Sequence, residues 1–127
     1  MKENLTQSQF TETWIENGIL FQLLNPAIKE ISLPIAKQLV MDRNNASKGK
    51  AMPVLVIVGN AVNVDREANK YYQETEPYQN INAIGMYIDN WVAKVVGNLV
   101  FKIKKNPVPI EFFNNKNKAI LWLEKYK

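Results

Sequence analysis

Neither cysteine nor histidine occurs anywhere in the 127 residues. Their absence removes disulfides, thiolate nucleophiles, imidazole general bases, Cys/His zinc sites and haem ligation through either side chain. Chemistry would be left to carboxylates, lysines, tyrosines and hydroxyls. Phosphate-cradling loops are missing as well, since neither GxxxxGK nor GxGxxG is present. No clustered aspartate loop suggests Mg²⁺ or Ca²⁺, so no metal and no cofactor is expected. No apolar run approaches the ~20 residues of a membrane span. The opening MKENLTQSQ is polar where a secretory leader carries an apolar segment. These absences predict a cytoplasmic chain without an integral membrane segment.

What remains has ordinary globular composition, 46% hydrophobic and 22% charged, at a length that suits one domain over residues 1–127. Residues 1–9 read as a flexible tail. The net charge is +4, but the lysines are spread along the chain, with one local cluster at Lys102, Lys104 and Lys105. No aromatic strand motif, zinc finger or arginine-rich helix accompanies them, so a solvated basic face is expected and no nucleic acid.

The first structured segment reads as a hairpin. Thr11–Ile15 and Ile19–Leu24 are runs of β-formers flanking Glu16-Asn17-Gly18, and Asn-Gly tolerates the positive φ of a type I′ turn. A helix follows, capped by Ser32 with Pro34 in its first turn and fading towards Gly49. Ile35, Ala36, Leu39, Val40 and Arg43 share one of its faces. PVLVIVG, residues 53–59, is continuously apolar and β-branched, as a strand covered on both sides requires. A second helix should start at an Asn63 cap, with Asp65 and Glu67 in its first turn. Val64, Ala68, Tyr71 and Tyr72 would line its inner side. INAIGMYID (81–89) reads as a strand, with Gly85 marking a close approach. Residues 90–104, NWVAKVVGNLVFKIK, follow the i, i+3, i+4, i+7 rule of an amphipathic helix. NPVPIEFF is a strand whose prolines place it at an edge, and NNKNKAILWLEKYK closes the chain as a helix.

The order β-β-α-β-α-β-α-β-α predicts an α/β fold with a five-stranded mixed sheet and four helices mostly on one face. WIENGIL, AKQLVMDR, the Pro53 strand, DREA, KVVGNLVFKIKK with PVP after it, and KAILWLEKY carry a resemblance to the STAS (sulphate-transporter and anti-sigma-factor-antagonist) domain. More narrowly, the wording is similar to uncharacterised small STAS-like proteins of Bacteroidetes. In antagonists of that family, an Asp-Ser-Ser/Thr-Gly element after the third strand carries the serine whose phosphorylation switches partner binding. The matching residues here are Val64-Asp65-Arg66-Glu67, and residues 59–67 hold no serine or threonine. The resemblance therefore implies a module without the phospho-acceptor.

Open α/β sheets bind ligands beyond the carboxyl ends of their strands. Gly59, Asn60, Asn63, Asp65 and Arg66 are the candidates there, set against a turn role for Gly59, a cap role for Asn63 and a helix-dipole contact for Asp65. Asp42, Asp65, Glu67 and Asp89 are available for acid/base work, although nothing in their spacing demands it. Asp42-Arg43 reads as an ion pair or a solvated helix end. Trp14, Trp91, Trp122, Tyr71 and Tyr72 form either core or pocket wall. The apolar arc of the 90–104 helix, including Trp91, Val95 and Leu99, reads as packed core, dimer face or groove for an apolar ligand. The leading functional reading is a non-catalytic regulatory module acting through a protein partner or homodimer. The second is a carrier or sensor of an apolar, lipid-like ligand.

Overall fold

The computed structural model describes residues 2–59, 63–88 and 107–127. A six-stranded sheet runs in the order β1 (Glu3–Gln7), β2 (Thr11–Glu16), β3 (Ile19–Leu24), β5 (Met52–Val58), β7 (Ile81–Ile88) and β8 (Ile110–Phe113). The first three strands are antiparallel, and β3, β5, β7 and β8 run parallel. A small second sheet pairs β4 (Glu30–Ile31) with β6 (Asn63–Val64). The described helices are α1 (Leu33–Ser47), α2 (Arg66–Tyr71) and α3 (Lys116–Leu123), with a 3₁₀ turn at Glu76–Tyr78.

The hairpin forms as its turn chemistry predicts. Asn17 at φ 53° and Gly18 at φ 77° both occupy the left-handed region, as a type I′ turn requires. The sheet nevertheless has six strands where five were expected, because part of the expected tail is paired. Glu3 lies opposite Ile15 and Thr6 opposite Thr13, with a register shift between them. This strand has no apolar alternation to betray it. It is an edge strand open to solvent, and its one large apolar side chain, Leu5, is 56% exposed.

Pro53 sits in the middle of the sheet, where its missing N–H would break a ladder. The register of β5 against β7 shifts between Met52 and Val54, so the proline falls at the irregularity. β8 lies at the sheet edge, where the nearby prolines put it. α1 begins after Ser32, though that side chain makes no capping bond. It stops at the left-handed pair Lys48 (φ 54°) and Gly49 (φ 79°).

The start of α2 differs from expectation. Asn63 does not cap it, because Asn63 and Val64 are held extended by pairing with Glu30 and Ile31. The chain turns helical only after Asp65, whose Oδ1 accepts the Ala68 N–H at 2.8 Å.

Strand alternation divides the core into two layers. Leu20, Leu24, Val54, Val56, Val58 and Ile84 join Ala36, Leu39 and Val40 of α1, together with Ala68 and Tyr71 of α2. Phe21, Leu55 and Ala83 join Ala119 and Leu123 of α3 on the opposite face. Two of the three described helices thus share one face. The expected fourth helix, residues 90–104, lies outside the described residues.

Gly85 is the point of close approach that its position in β7 suggested, and what approaches is protein. A Cβ there would stand 3.2 Å from Leu123 Cδ1 and 3.5 Å from Leu55 Cδ1. Its absence lets α3 settle onto the sheet.

Candidate functional site

Along β3, Leu20, Gln22 and Leu24 point to the α1 side, so a polar side chain interrupts an apolar row. Gln22 is 2% exposed and donates from Nε2 to the Leu39 carbonyl oxygen at 2.9 Å. One turn further along α1, Arg43 follows Leu39 on the same inward face. The result is a cavity of about 70 Å³ between this sheet face and α1. Its floor is Gln22 with Leu24, Val56, Val58, Ile84, Met86 and Ile110. Leu39 and Arg43 form one wall, and Ile31, Val64, Tyr72 and Tyr78 the other.

Arg43 is the chemically distinctive member. It is 7% exposed, its Nη2 donates to the Pro77 carbonyl oxygen at 2.8 Å, and among the described residues its buried Nε has no hydrogen-bond partner. Its electrostatic neighbours are the phenols of Tyr72, Tyr78 and Tyr71, and among the described residues no carboxylate forms a salt bridge with it. Burial lowers its pKa below the ordinary value of 12.5. A guanidinium nonetheless keeps its proton in proteins, so the wall carries a positive charge.

The tyrosines do not neutralise that charge. Burial drives the Tyr72 phenol well above its ordinary value and pushes Tyr78 up to about 12, with Arg43 opposing both shifts. Both are neutral near pH 7. Tyr78 also braces the wall, its hydroxyl donating to the Tyr72 carbonyl oxygen at 2.6 Å.

Asp42, next to Arg43, is no counter-ion. Consecutive helical residues diverge by about 100°, and Asp42 points the other way, towards the β1–β2 connection. It is 4% exposed. Its Oδ2 accepts Ser8 Oγ at 2.6 Å and Thr11 Oγ1 at 2.7 Å, and its Oδ1 accepts Gln38 Nε2 at 2.9 Å. The expected alternatives, ion pair or solvated helix end, are both replaced by two buried charges with separate surroundings.

The candidates named from the sequence are distributed differently. Asn63 is exposed and belongs to β6, Arg66 is exposed, and Asp65 caps α2. Gly59 follows β5 half-buried, and a Cβ there would meet nothing within 4 Å among the described residues. None of these four lines the cavity. Asn60, Trp91, Val95, Leu99 and Asp89 lie outside the described residues.

Of the aromatics, Tyr72 lines the cavity and Tyr71 is buried beside it. Trp14 stacks on Phe21 across the other face of the sheet, with ring centroids 5.4 Å apart and an interplanar angle of 6°. Trp122 packs between Phe113 and Tyr126. Among the described residues no group of three or more Asp/Glu side chains could hold a metal, and no helix is long and apolar enough to cross a membrane.

Sequence reasoning passed over Gln22, Arg43 and Tyr78. The usable signal was a polar residue in phase with an apolar stripe: Gln22 between Leu20 and Leu24, and Arg43 one turn after Leu39.

The mixed sheet, with its antiparallel start and parallel remainder, is a SpoIIAA-like fold. The chain is similar to the crystal structure of an uncharacterised DUF3478-family protein with that fold from Shewanella loihica PV-4. The TM-score is 0.50 at 13% identity, over 97% of this chain and 95% of that one. At that identity the likeness speaks for the fold alone. The chain belongs to the family described as Domain of unknown function (DUF7793), which matches residues 13–127. No curated protein matches it.

Proposed function

We propose that this chain is a non-catalytic binding module of the cytoplasm that senses or carries a small molecule with an apolar body. The observation that supports this reading is the cavity of about 70 Å³, walled by aliphatic and aromatic side chains and bordered by a buried cation. Cores pack at the density of organic crystals, with few voids larger than a water, so a space several waters in size is a binding-site candidate. Catalysis finds little support. Among the described residues, Asp42 already holds three hydrogen bonds and Asp65 serves as a helix cap. Missing histidine and cysteine remove the usual nucleophile-and-base pairs.

Native mass spectrometry of the freshly purified protein, followed by a thermal-shift screen of small amphipathic molecules, tests the proposal. A retained small molecule, or a concentration-dependent rise in Tm, is expected. A protein that emerges empty and is stabilised by nothing in the screen refutes it.

A second reading, an interaction module or homodimer, has its own support on the opposite face. Strand register aligns Leu23, Ile57, Tyr87 and Phe113 across β3, β5, β7 and β8. All four are half-buried, leaving an apolar row partly open beside α3. Light scattering decides this reading: a dimer that Ile57→Glu dissociates supports it, and a monomer at high concentration rules out self-association.

A further inference from the structure

Resting on the ligand-binding reading above, we propose that the cavity takes a short-chain monocarboxylate, with its carboxylate on the Arg43 guanidinium and its alkyl chain against the sheet. The charge of the ligand follows from the charge of the wall. A buried guanidinium is costly to retain unless an anion and hydrogen bonds compensate it. Here Arg43 donates to the Pro77 carbonyl oxygen, and among the described residues its buried Nε finds no partner. Asp42, the adjacent carboxylate, is turned away and saturated by Ser8, Thr11 and Gln38. An arriving carboxylate brings the missing charge and acceptors in the planar geometry a guanidinium fits best.

The size of the ligand follows from the size of the space. An engineered cavity of about 150 Å³ holds benzene. The present cavity, at about 70 Å³, is less than half as large. On the same scale it has room for roughly three carbons in all, so the acid that fits carries only a one- or two-carbon tail beyond its carboxylate. Val56, Ile84, Met86 and Ile110 offer such a chain only apolar contact, and the polar groups of the lining, Gln22, Tyr72 and Tyr78, leave Arg43 as its one charge. Inorganic phosphate has the charge but not the apolar body, and a long fatty acid has the charge but too much chain.

The test is isothermal titration of the full chain with propionate, its neutral isostere propionamide, and decanoate. Propionate is expected to bind at least about tenfold more tightly than the amide, the ordinary margin of a charge-assisted pair over a neutral bond. Arg43→Met should abolish that preference, and Arg43→Lys should weaken propionate binding about tenfold while keeping the preference for the anion. Should Arg43→Met fail to fold, the lysine variant and an Ile110→Phe variant, which fills the cavity from the sheet edge, still decide the matter. Equal binding of the amide and the acid would overturn the carboxylate assignment and leave the apolar-ligand reading standing. Tighter binding of decanoate would overturn the size assignment. No binding of any of the three would overturn the monocarboxylate proposal, while a different molecule retained in native mass spectrometry would keep the broader reading alive.

Discussion

Asp42 and Arg43 are neighbours in α1, both buried, and they do not pair. The carboxylate accepts Thr11 Oγ1 at 2.7 Å on one side of the helix, and the guanidinium reaches the Pro77 carbonyl oxygen at 2.8 Å on the other. One charge is spent on architecture, tying α1 to the segment between β1 and β2. The other faces the cavity. The separation gives each residue a distinct mutational signature.

Asp42→Ala removes the shared acceptor of Ser8, Thr11 and Gln38 and leaves the buried Thr11 hydroxyl without its partner. The expected loss is about 2–4 kcal/mol, read as a lower midpoint in urea denaturation. Asp42→Asn keeps one oxygen acceptor and should cost less, about 1–2 kcal/mol. Equal losses in the two variants would show that the negative charge matters and the hydrogen-bond geometry does not.

Arg43 should behave in the opposite way. Arg43→Met replaces a buried charge with an apolar chain of similar length, and such exchanges are often neutral or stabilising. The Pro77 carbonyl loses a donor, worth about 1 kcal/mol. The unliganded variant is therefore expected within about 1 kcal/mol of the parent by urea denaturation, against the 3–5 kcal/mol typical of breaking a buried pair. A loss of that larger size would identify Arg43 as a structural residue with a partner.

The contact between β7 and α3 predicts a third outcome. Gly85→Ala places a methyl 3.2 Å from Leu123 Cδ1, tight against a fully buried side chain. The cost should be about 1–2 kcal/mol. Adding Leu123→Val should recover part of it, because the shortened side chain vacates the space the methyl needs. A double-mutant cycle with no coupling would place the strain elsewhere.

The fold was largely legible because its strongest elements carry local chemistry. Asn17-Gly18 dictates its own turn, and the continuous apolar run after Pro53 admits few positions other than mid-sheet. Elements set by partners were not legible. Glu3–Gln7 has no alternation to mark it, since it is an edge strand whose residues stay mostly exposed. Asn63 has the chemistry of a cap, yet pairing with Glu30 through β6 keeps it extended and passes the role to Asp65. The cavity was not legible for a related reason. A strand-to-helix turn is visible in one dimension, whereas the cavity is assembled by β3, α1, the strands beyond them and the Tyr78 turn. Arg43 was correctly placed on the inner face of α1, but the loneliness of its charge depends on where Asp42 points.

The tyrosine wall makes stability fall at alkaline pH in a defined way. The Tyr78 phenol is held neutral by burial, its pKa pushed up to about 12 from an ordinary 10.0, and burial drives Tyr72 higher still. Arg43 pulls both downward without reversing either shift. Between pH 10 and 12 the unfolded chain therefore sheds phenolic protons that the native state retains. Stability contributed by these groups is complete below pH 10 and declines as pH rises towards 12. Tyr78→Phe should lose about 1 kcal/mol at pH 7, from the missing hydrogen bond to the Tyr72 carbonyl oxygen at 2.6 Å. Above pH 10 its stability should then fall less steeply than the parent's, with Tyr72 supplying the remaining slope. Urea midpoints at pH 8, 10, 11 and 12 would measure this. Parallel curves for parent and variant would mean that Tyr78 ionises alike in both states and that its ring is in contact with water.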